Sequence, residues 1–381
     1  MSYLEYRVQT VPSGWRKILH LHWPMILVIS AIASIGFLML YSVAGGNIAP
    51  WAETQIERFL MGLVLMFVIA MVPIWFWRNM SFLAFGLSMV LLVVVEFYGI
   101  TRNGSTRWID LGFMLFQPSE MAKISLVMLL AAYYDTLPSK RLSRPLWVLL
   151  PIIITLLPAA LVLTQPDLGT ALLLVMTGGA VIFAAGVHWG YFATALAAGG
   201  AMIVAIFQSK GTPWQILLDY HYRRIDVLLD PASDPLGDGY HVTQSKIALG
   251  SGGWTGRGFM QGTQTRLNFL PEQQTDFIFT TLAEEFGFLG GSALLLLYVL
   301  LMIFCISTAL RMKDQFSSLL VIGISVTFFL AYAVNLFMVM GMAPVVGVPL
   351  PLVSYGGTSM LVLMAAFGLI QSAHIHRPRE R

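Results

Sequence analysis

The sequence predicts an all-α integral membrane protein that crosses a bilayer about ten times, and three observations carry that reading. Of its 381 residues 57% are hydrophobic and 11% charged, where a soluble domain carries roughly 25% charged residues. The mean hydropathy is +0.77. Apolar runs of the roughly 20 residues needed to cross about 30 Å of hydrocarbon recur along nearly the whole chain.

In order the expected spans are about 23–43, 59–77, 80–99, 115–134, 146–164, 168–187, 189–209, 284–309, 316–342 and 357–374. The first is too long for a signal peptide and lacks a small-residue cleavage site, so it reads as a retained signal anchor. The whole chain, 1–381, reads as one transmembrane domain with a single large loop, 210–275. No internal repeat or low-complexity tract divides it.

Orientation follows from the cations of the short connections, which favour the cytoplasm. Placing both termini inside puts Arg7, Arg16, Lys17, Arg78, Lys140, Arg141, Arg144, Arg311, Lys313, Arg377, Arg379 and Arg381 on that side. Arg58, Arg102, Arg107 and the long loop fall outside, and long loops translocate largely regardless of charge. The formal net charge of +3 is modest and nothing in it suggests a nucleic-acid surface. The single cysteine, Cys305, excludes an intrachain disulfide.

Four stretches interrupt the apolar monotony, and with this topology all of them lie at the extracytoplasmic ends of helices. They are "GITRNGSTRWIDLGFMLFQPSEMAK" (99–123), "LTQPDLGT" (163–170), the loop from Lys210 to Thr275, and "APVVGVPLPLVSYGGTSML" (343–361). Glu120 and Lys123, at i and i+3 on a helix that Pro118 can start, project to one side. They form either a salt bridge inside the bundle or a polar wall whose lysine meets a phosphate. An ionised group in the membrane interior costs at least about 2.5 to 3.5 kcal/mol and needs a partner. Asp167 reads as a carboxylate in the first turn of a span, where the helix dipole favours it. Glu96 lies close enough to a helix end to reach water.

In the long loop, Arg223, Arg224, Lys246, Arg257 and Arg266 are spaced among apolar residues. The string "GSGGWTGRG" (250–258) has glycines that let successive amides turn toward an anion, though flexible turns explain most such strings. Just beyond it, "LPEQQTDFIFTTLAEEFGFLGG" (270–291) sets acids at the start of a strongly apolar helix. If that helix begins near Thr275, Asp276, Thr280 and Glu284 lie at i, i+4 and i+8 over roughly 12 Å. Asp276 would then sit at the water's edge, either as a dipole-favoured N-terminal acid or as a functional one. Glu284 and Glu285 would lie one to two turns deeper, where carboxylates are paired or functional.

The segments "RWIDLG", "FQPSEMAK", "QPDLGT", "LLDPASDPLGDGYHVTQSKIALGSGG", "LPEQQTDFIFTTLAEEFG" and "PVVGVPLPLVSYGGTSML" resemble the SEDS family, the shape, elongation, division and sporulation proteins. The resemblance spans about residues 99 to 361 and is to the family's elongation branch. It implies a ten-helix inner-membrane peptidoglycan glycosyltransferase with its active site on the periplasmic side. Such an enzyme polymerises lipid II, releases undecaprenyl diphosphate, and works with a class B penicillin-binding protein as transpeptidase. The family's catalytic acid falls on Asp276, and its cavity motifs fall on Arg107, Glu120, Lys123, Asp167, Lys246 and the turn Ser354-Tyr355-Gly356-Gly357. Glu284, Glu285 and Arg257 are expected in support. Family members commonly carry histidine immediately before the Thr-Asp pair, and here Gln274 stands there. A divalent cation could bridge carboxylate and diphosphate, but the sequence has no ligand cluster that requires one.

The glycosyl transfer needs a base for a sugar hydroxyl, worth typically about 10²–10⁴-fold, and fixed cations or amides for the leaving diphosphate. Two other classes compete. A lipid II flippase would line its path with polar groups across the full bilayer thickness, whereas here they gather at one end. A scaffold for the penicillin-binding protein would keep the polar site without using it. Gly287, Gly290 and Gly291 are expected to let the partner's single span approach closely.

Overall fold

The computed structural model describes residues 14–377, except 103–104, 113, 216–218, 220–221, 223–225, 228, 231–236, 268 and 271. Arg7, Arg223, Arg224, Arg379 and Arg381 therefore lie outside the described residues.

Each expected span is met by a helix: α1 (Trp23–Val43), α2 (Trp51–Met71), α3 (Ile74–Tyr98), α4 (Pro118–Thr136), α5 (Pro145–Thr164), α6 (Leu168–Ala184) and α7 (Trp189–Ser209). After them come α8 (Asp238–Ser251), in the long loop, and then α9 (Ile278–Leu310), α10 (Gln315–Val339) and α11 (Thr358–His376). Eight of these are long and apolar enough to cross a membrane. The other two expected spans, α4 and α6, fall short of that description because α4 carries Glu120, Lys123 and Asp135 and α6 has 17 residues. The chain is a multi-pass membrane protein.

One departure from an all-α chain is a small antiparallel sheet, β1 (Ile100–Arg102), β2 (Ser105–Asp110) and β3 (Leu115–Phe116), in the order β1-β2-β3. Its β-branched residues Ile100, Thr101, Thr106 and Ile109 suit a pleated, half-buried surface. Proline at the first position of α4 ends this segment and starts the helix where a missing N–H costs nothing.

The packing is layered. α10 and α11 are mostly buried, α2 lies along α11, α3 along α4, α5 along α6, and α1 and α10 flank α9. α7 has no buried residue and stands at the periphery. At one end of the bundle Lys17 donates to the carbonyl of Met71 (2.9 Å) and Arg78 pairs with Asp135 (2.9 Å). The sheet, α8 and the turn 340–357 gather at the other, because successive helices alternate in direction.

Two local features shape that second end. α9 breaks at Gly287 (φ 65°, ψ −160°), a backbone conformation that glycine adopts at little cost. A Cβ there would come within 2.3 Å of the amide nitrogen of Gly256. The groups freed by the break pair with the glycine-rich loop: Arg257 N donates to Glu284 O (3.0 Å) and Gly258 N to Glu285 O (3.0 Å), while Phe288 N and Leu289 N donate to Gly253 O (2.8 Å) and Trp254 O (3.1 Å). The amides of Arg257 and Gly258 are thus spent on α9, which corrects the expectation that this string turns its amides toward an anion. Gly287 and Gly291 are buried, so neither offers a close approach to an outside span.

Candidate functional site

A cavity of about 1450 Å³ opens at the loop-bearing end. Four carboxyl groups line it: Glu120, Asp167, Glu272 and Asp276, with the cations Arg58, Arg107 and Lys123. Six of the expected site residues therefore converge: Arg107, Glu120, Lys123, Asp167, Asp276 and Ser354.

Most of these charges are already matched. Lys123 Nζ lies 2.8 Å from Glu120 Oε1, the i, i+3 contact that one face of α4 provides. Asp167 caps α6, accepting from Thr170 N (3.0 Å) and Thr170 Oγ1 (2.9 Å). The capping reading of this acid is correct, but it also faces Arg107 Nη1 at 3.5 Å. Arg107 on β2 donates as well to the carbonyls of Gln165 (3.4 Å) and Pro166. It therefore latches the sheet to the α5–α6 turn and keeps donors in hand, since a guanidinium has five N–H groups.

Asp276 is different. α9 begins at Ile278, three residues later than the sequence reading has it, so Asp276 lies on the turn before the helix and not in its first turn. Its backbone carbonyl accepts from Asn335 Nδ2 (2.8 Å), which also donates to Val348 O (2.8 Å). Around it, Tyr355 N donates to Gln274 O (2.8 Å) and Ser354 Oγ donates to Thr275 O. Ser354 Oγ in turn accepts from Leu350 N (2.8 Å). The turn is clamped from α10 and from the 350–357 segment. The carboxylate itself has no hydrogen bond or ion pair among the described residues. Burial pushes its pKa up to about 7, reinforced by the charge of Glu272, opposed by Arg107, and raised slightly further by Asp167.

Four expected site residues lie outside the cavity. Glu284 is 0% exposed. It accepts from Thr263 Oγ1 (3.1 Å), Gln264 N (2.9 Å), Thr265 N (3.3 Å) and Thr265 Oγ1 (3.1 Å). The acid thus satisfies the start of the one-turn helix Thr263–Arg266 and fastens the loop to α9. Glu285, one residue on, points elsewhere and accepts from Ser42 Oγ of α1. Lys246 is exposed on α8 against Gly341, and Arg257 is exposed with its Nε 3.4 Å from Ser251 O. Neither cation lines the cavity; α8 packs on α9 and α10 and carries Lys246 on its exposed side.

Two cavity residues, Arg58 and Gln55, and one beside the cavity, Asn335, escaped the sequence reading. Arg58 lies over the ring of Tyr355 at 5.0 Å. Gln55, 1% exposed, donates to Ser354 O (2.9 Å) and accepts from Gly356 N (3.2 Å). Asn335 clamps the Asp276 turn. A lone amide in an apolar helix is a readable signal, since a buried amide without a partner costs several kcal/mol.

Residues 22–379 match the family described as "Cell cycle protein", that of FtsW, RodA and SpoVE. The chain is 40% identical over 366 residues to the peptidoglycan glycosyltransferase MrdB of Escherichia coli strain K12, with 95% of each chain covered. It is 31% identical over 421 residues to the peptidoglycan glycosyltransferase RodA of Treponema pallidum, covering 91% of this chain and 96% of that one. Among solved structures it is similar to one described as showing structural coordination of polymerization and crosslinking by a peptidoglycan synthase complex. The TM-score is 0.78 at 30% identity, over 93% of this chain and 97% of that one.

Proposed function

Because the chain belongs to the family of FtsW, RodA and SpoVE, it is a membrane-embedded peptidoglycan glycosyltransferase, and we propose that Asp276 is the base of its reaction. The observation that carries this reading is the state of the four cavity acids. Glu120 and Asp167 face cations, Glu272 accepts hydrogen bonds, and Asp276 alone among these described residues has an unengaged carboxylate. A base poised near 7 combines a useful deprotonated fraction with driving force for proton transfer.

The substrate is lipid II. The 4-hydroxyl of one molecule gives its proton to Asp276 as its oxygen bonds to the anomeric carbon of the other glycan, and the bond to undecaprenyl diphosphate breaks with its electron pair on the diphosphate. Arg107 and Lys123 keep N–H donors free of their acid partners and stabilise that developing charge. Glu120 and Asp167 hold the two cations in place. Lys246 and Arg257 take no part in this scheme.

Orientation and partner belong to the same reading. Both termini are cytoplasmic and the cavity opens on the periplasmic side, where the prenyl chains of the substrates leave sideways into lipid. A class B penicillin-binding protein docks beside α9, on Phe288 and Leu289, which are 60% and 58% exposed. The concentration of charge at one end favours a polymerase over a flippase.

The test is direct. Purified protein in detergent, incubated with lipid II with and without its transpeptidase, yields glycan polymer. Transfer of lipid II across vesicle membranes with no polymer in either sample would replace this reading with the flippase. With Cys305 first replaced, a cysteine at position 240 reacts with an impermeant thiol reagent from the periplasmic side; labelling only after the inner membrane is permeabilised would reverse the orientation.

A further inference from the structure

We infer that Glu272 is the proton-exit residue of this chain, taking from Asp276 the proton that each glycosyl transfer deposits there. The inference rests on the general-base reading of Asp276 and adds the step that returns the base to its working state. Asp276 is half-buried with no hydrogen-bond partner among the described residues, and turnover requires that the proton it takes be passed on.

Three observations converge on Glu272. The first is the turn itself: Thr275 N and Phe277 N both donate to Glu272 O (3.1 and 3.4 Å), so residues 272 and 276 face each other across one turn, and both line the cavity. The second is aim. Glu272 Oε2 accepts from Thr275 Oγ1 (3.1 Å) and from Gln274 Nε2 (3.2 Å), which hold the carboxylate against the turn that leads to Asp276. The side chain is exposed to cavity water where Asp276 is half-buried.

The third is backbone strain. Glu272 has φ 52°, a left-handed conformation that glycine or asparagine occupies more readily. A glutamate held there at a cost, beside a reaction centre, is a candidate for function. Glu272 is also the charged neighbour with the largest influence on Asp276, ahead of Arg107 and Asp167, the other charged groups that face it.

Position 274 explains why the task falls to Glu272. Glutamine has no ionisable proton at any working pH, so it cannot relay one. What Gln274 does is orient the neighbouring carboxylate. In the sequence of events, the acceptor O–H breaks and its proton goes to Asp276 as the new C–O bond forms and the diphosphate departs with its electron pair. Asp276 then passes that proton to the Glu272 carboxylate, which releases it to cavity water. No oxidant, reductant or further co-reactant is needed.

The experiment uses the full-length protein, with lipid II as substrate, in weakly buffered and imidazole-buffered solution. Glu272→Gln keeps an oxygen that accepts from Thr275, so the turn is retained. Its kcat falls about 10²-fold, at the low end of what one proton-transfer group supplies. The solvent deuterium isotope effect on kcat rises, and imidazole restores much of the rate as a mobile base. Glu272→Gly relieves the strained φ and secures folding, yet shows the same deficit and the same rescue. Adding Gln274→His to Glu272→Gln places an ionisable group on the turn and restores part of the rate. A Glu272→Gln rate near that of the natural protein, or a loss that neither imidazole nor Gln274→His repairs, would overturn the inference. Failure of the underlying reading looks different, because Asp276→Asn would then remain active whatever residue stands at 272.

Discussion

The turn 272–276 and the first two turns of α9 both bury carboxyl groups within a few residues of each other, and they treat them in opposite ways. Glu284 is fully enclosed and accepts four hydrogen bonds from the loop. Asp276 is half-buried, and its carboxylate accepts none among the described residues, while its backbone and its neighbours are clamped from two sides. Depth therefore does not set how far an acid's oxygens are engaged. Glu284 is taken up in holding the loop, whereas the Asp276 carboxylate is left unengaged among the described residues on a clamped turn, the state a proposed base needs.

The largest effect that separates the two regions is on stability. Glu284→Ala strands the amides of Gln264 and Thr265 and two threonine hydroxyls, and is expected to cost about 2 to 4 kcal/mol. Thermal melting in detergent measures it; an unchanged melting temperature would mean that the loop does not depend on this acid.

Next comes the pH profile of polymerisation. With Asp276 near 7 and active when deprotonated, kcat falls about tenfold for each pH unit below that value, or about 10²-fold between pH 7 and 5. A profile flat over that range would break the contrast.

Asp276→Asn shifts stability the other way. Burial raises the folded-state pKa to about 7 from 3.8. The fold therefore favours the neutral acid, and the penalty for its charge is absent below about pH 4, grows as pH rises, and is complete above about pH 7. The asparagine variant should melt higher than the natural protein at about pH 8 and lose that advantage by about pH 4. A lower melting temperature at pH 8 would return Asp276 to the role of a helix-start acid.

Smallest is Ser354→Ala, which removes the link between Leu350 N and Thr275 O. It is expected to cost about 1 kcal/mol and a few-fold in kcat, with KM unchanged. A rise in KM with no loss of stability would make Ser354 a substrate contact instead of a clamp.

The same contrast shows what the sequence could reveal. The helices that meet the ten expected spans were legible, eight of them long and apolar enough to cross a membrane, because twenty apolar residues in a row have few other uses. The convergence of Arg107, Glu120, Lys123, Asp167 and Asp276 followed from topology and motif. The local partners were legible, the Glu120–Lys123 pair and the Asp167 cap among them, and the long-range partners were not. Glu284 and Asp276 are equally acidic in the sequence, and only the fold reveals that the loop's Thr263–Thr265 returns to one and leaves the other open. The glycine string was open to two uses, and the break at Gly287 decided between them by consuming its amides. The start of α9 was misplaced by three residues, since Thr275 resembles a cap while its hydroxyl bonds back to Glu272. Asn335 was visible as an isolated amide in an apolar helix and Gln55 was hidden in the largely polar stretch 53–58, and their partners lie 59 and 299 residues away in sequence.

The central claim is that Asp276 takes the proton of the attacking hydroxyl, and the specific activity of well-folded Asp276→Asn tests it most directly. Asparagine keeps the size and leaves the backbone clamp to Asn335 intact, so the variant should insert and bind its partner as the natural protein does. Measured per folded molecule with lipid II, its polymerisation should fall by about 10²-fold or more, while folded Glu284→Gln keeps most of its turnover. An Asp276→Asn enzyme that polymerises lipid II near the natural rate would contradict the account.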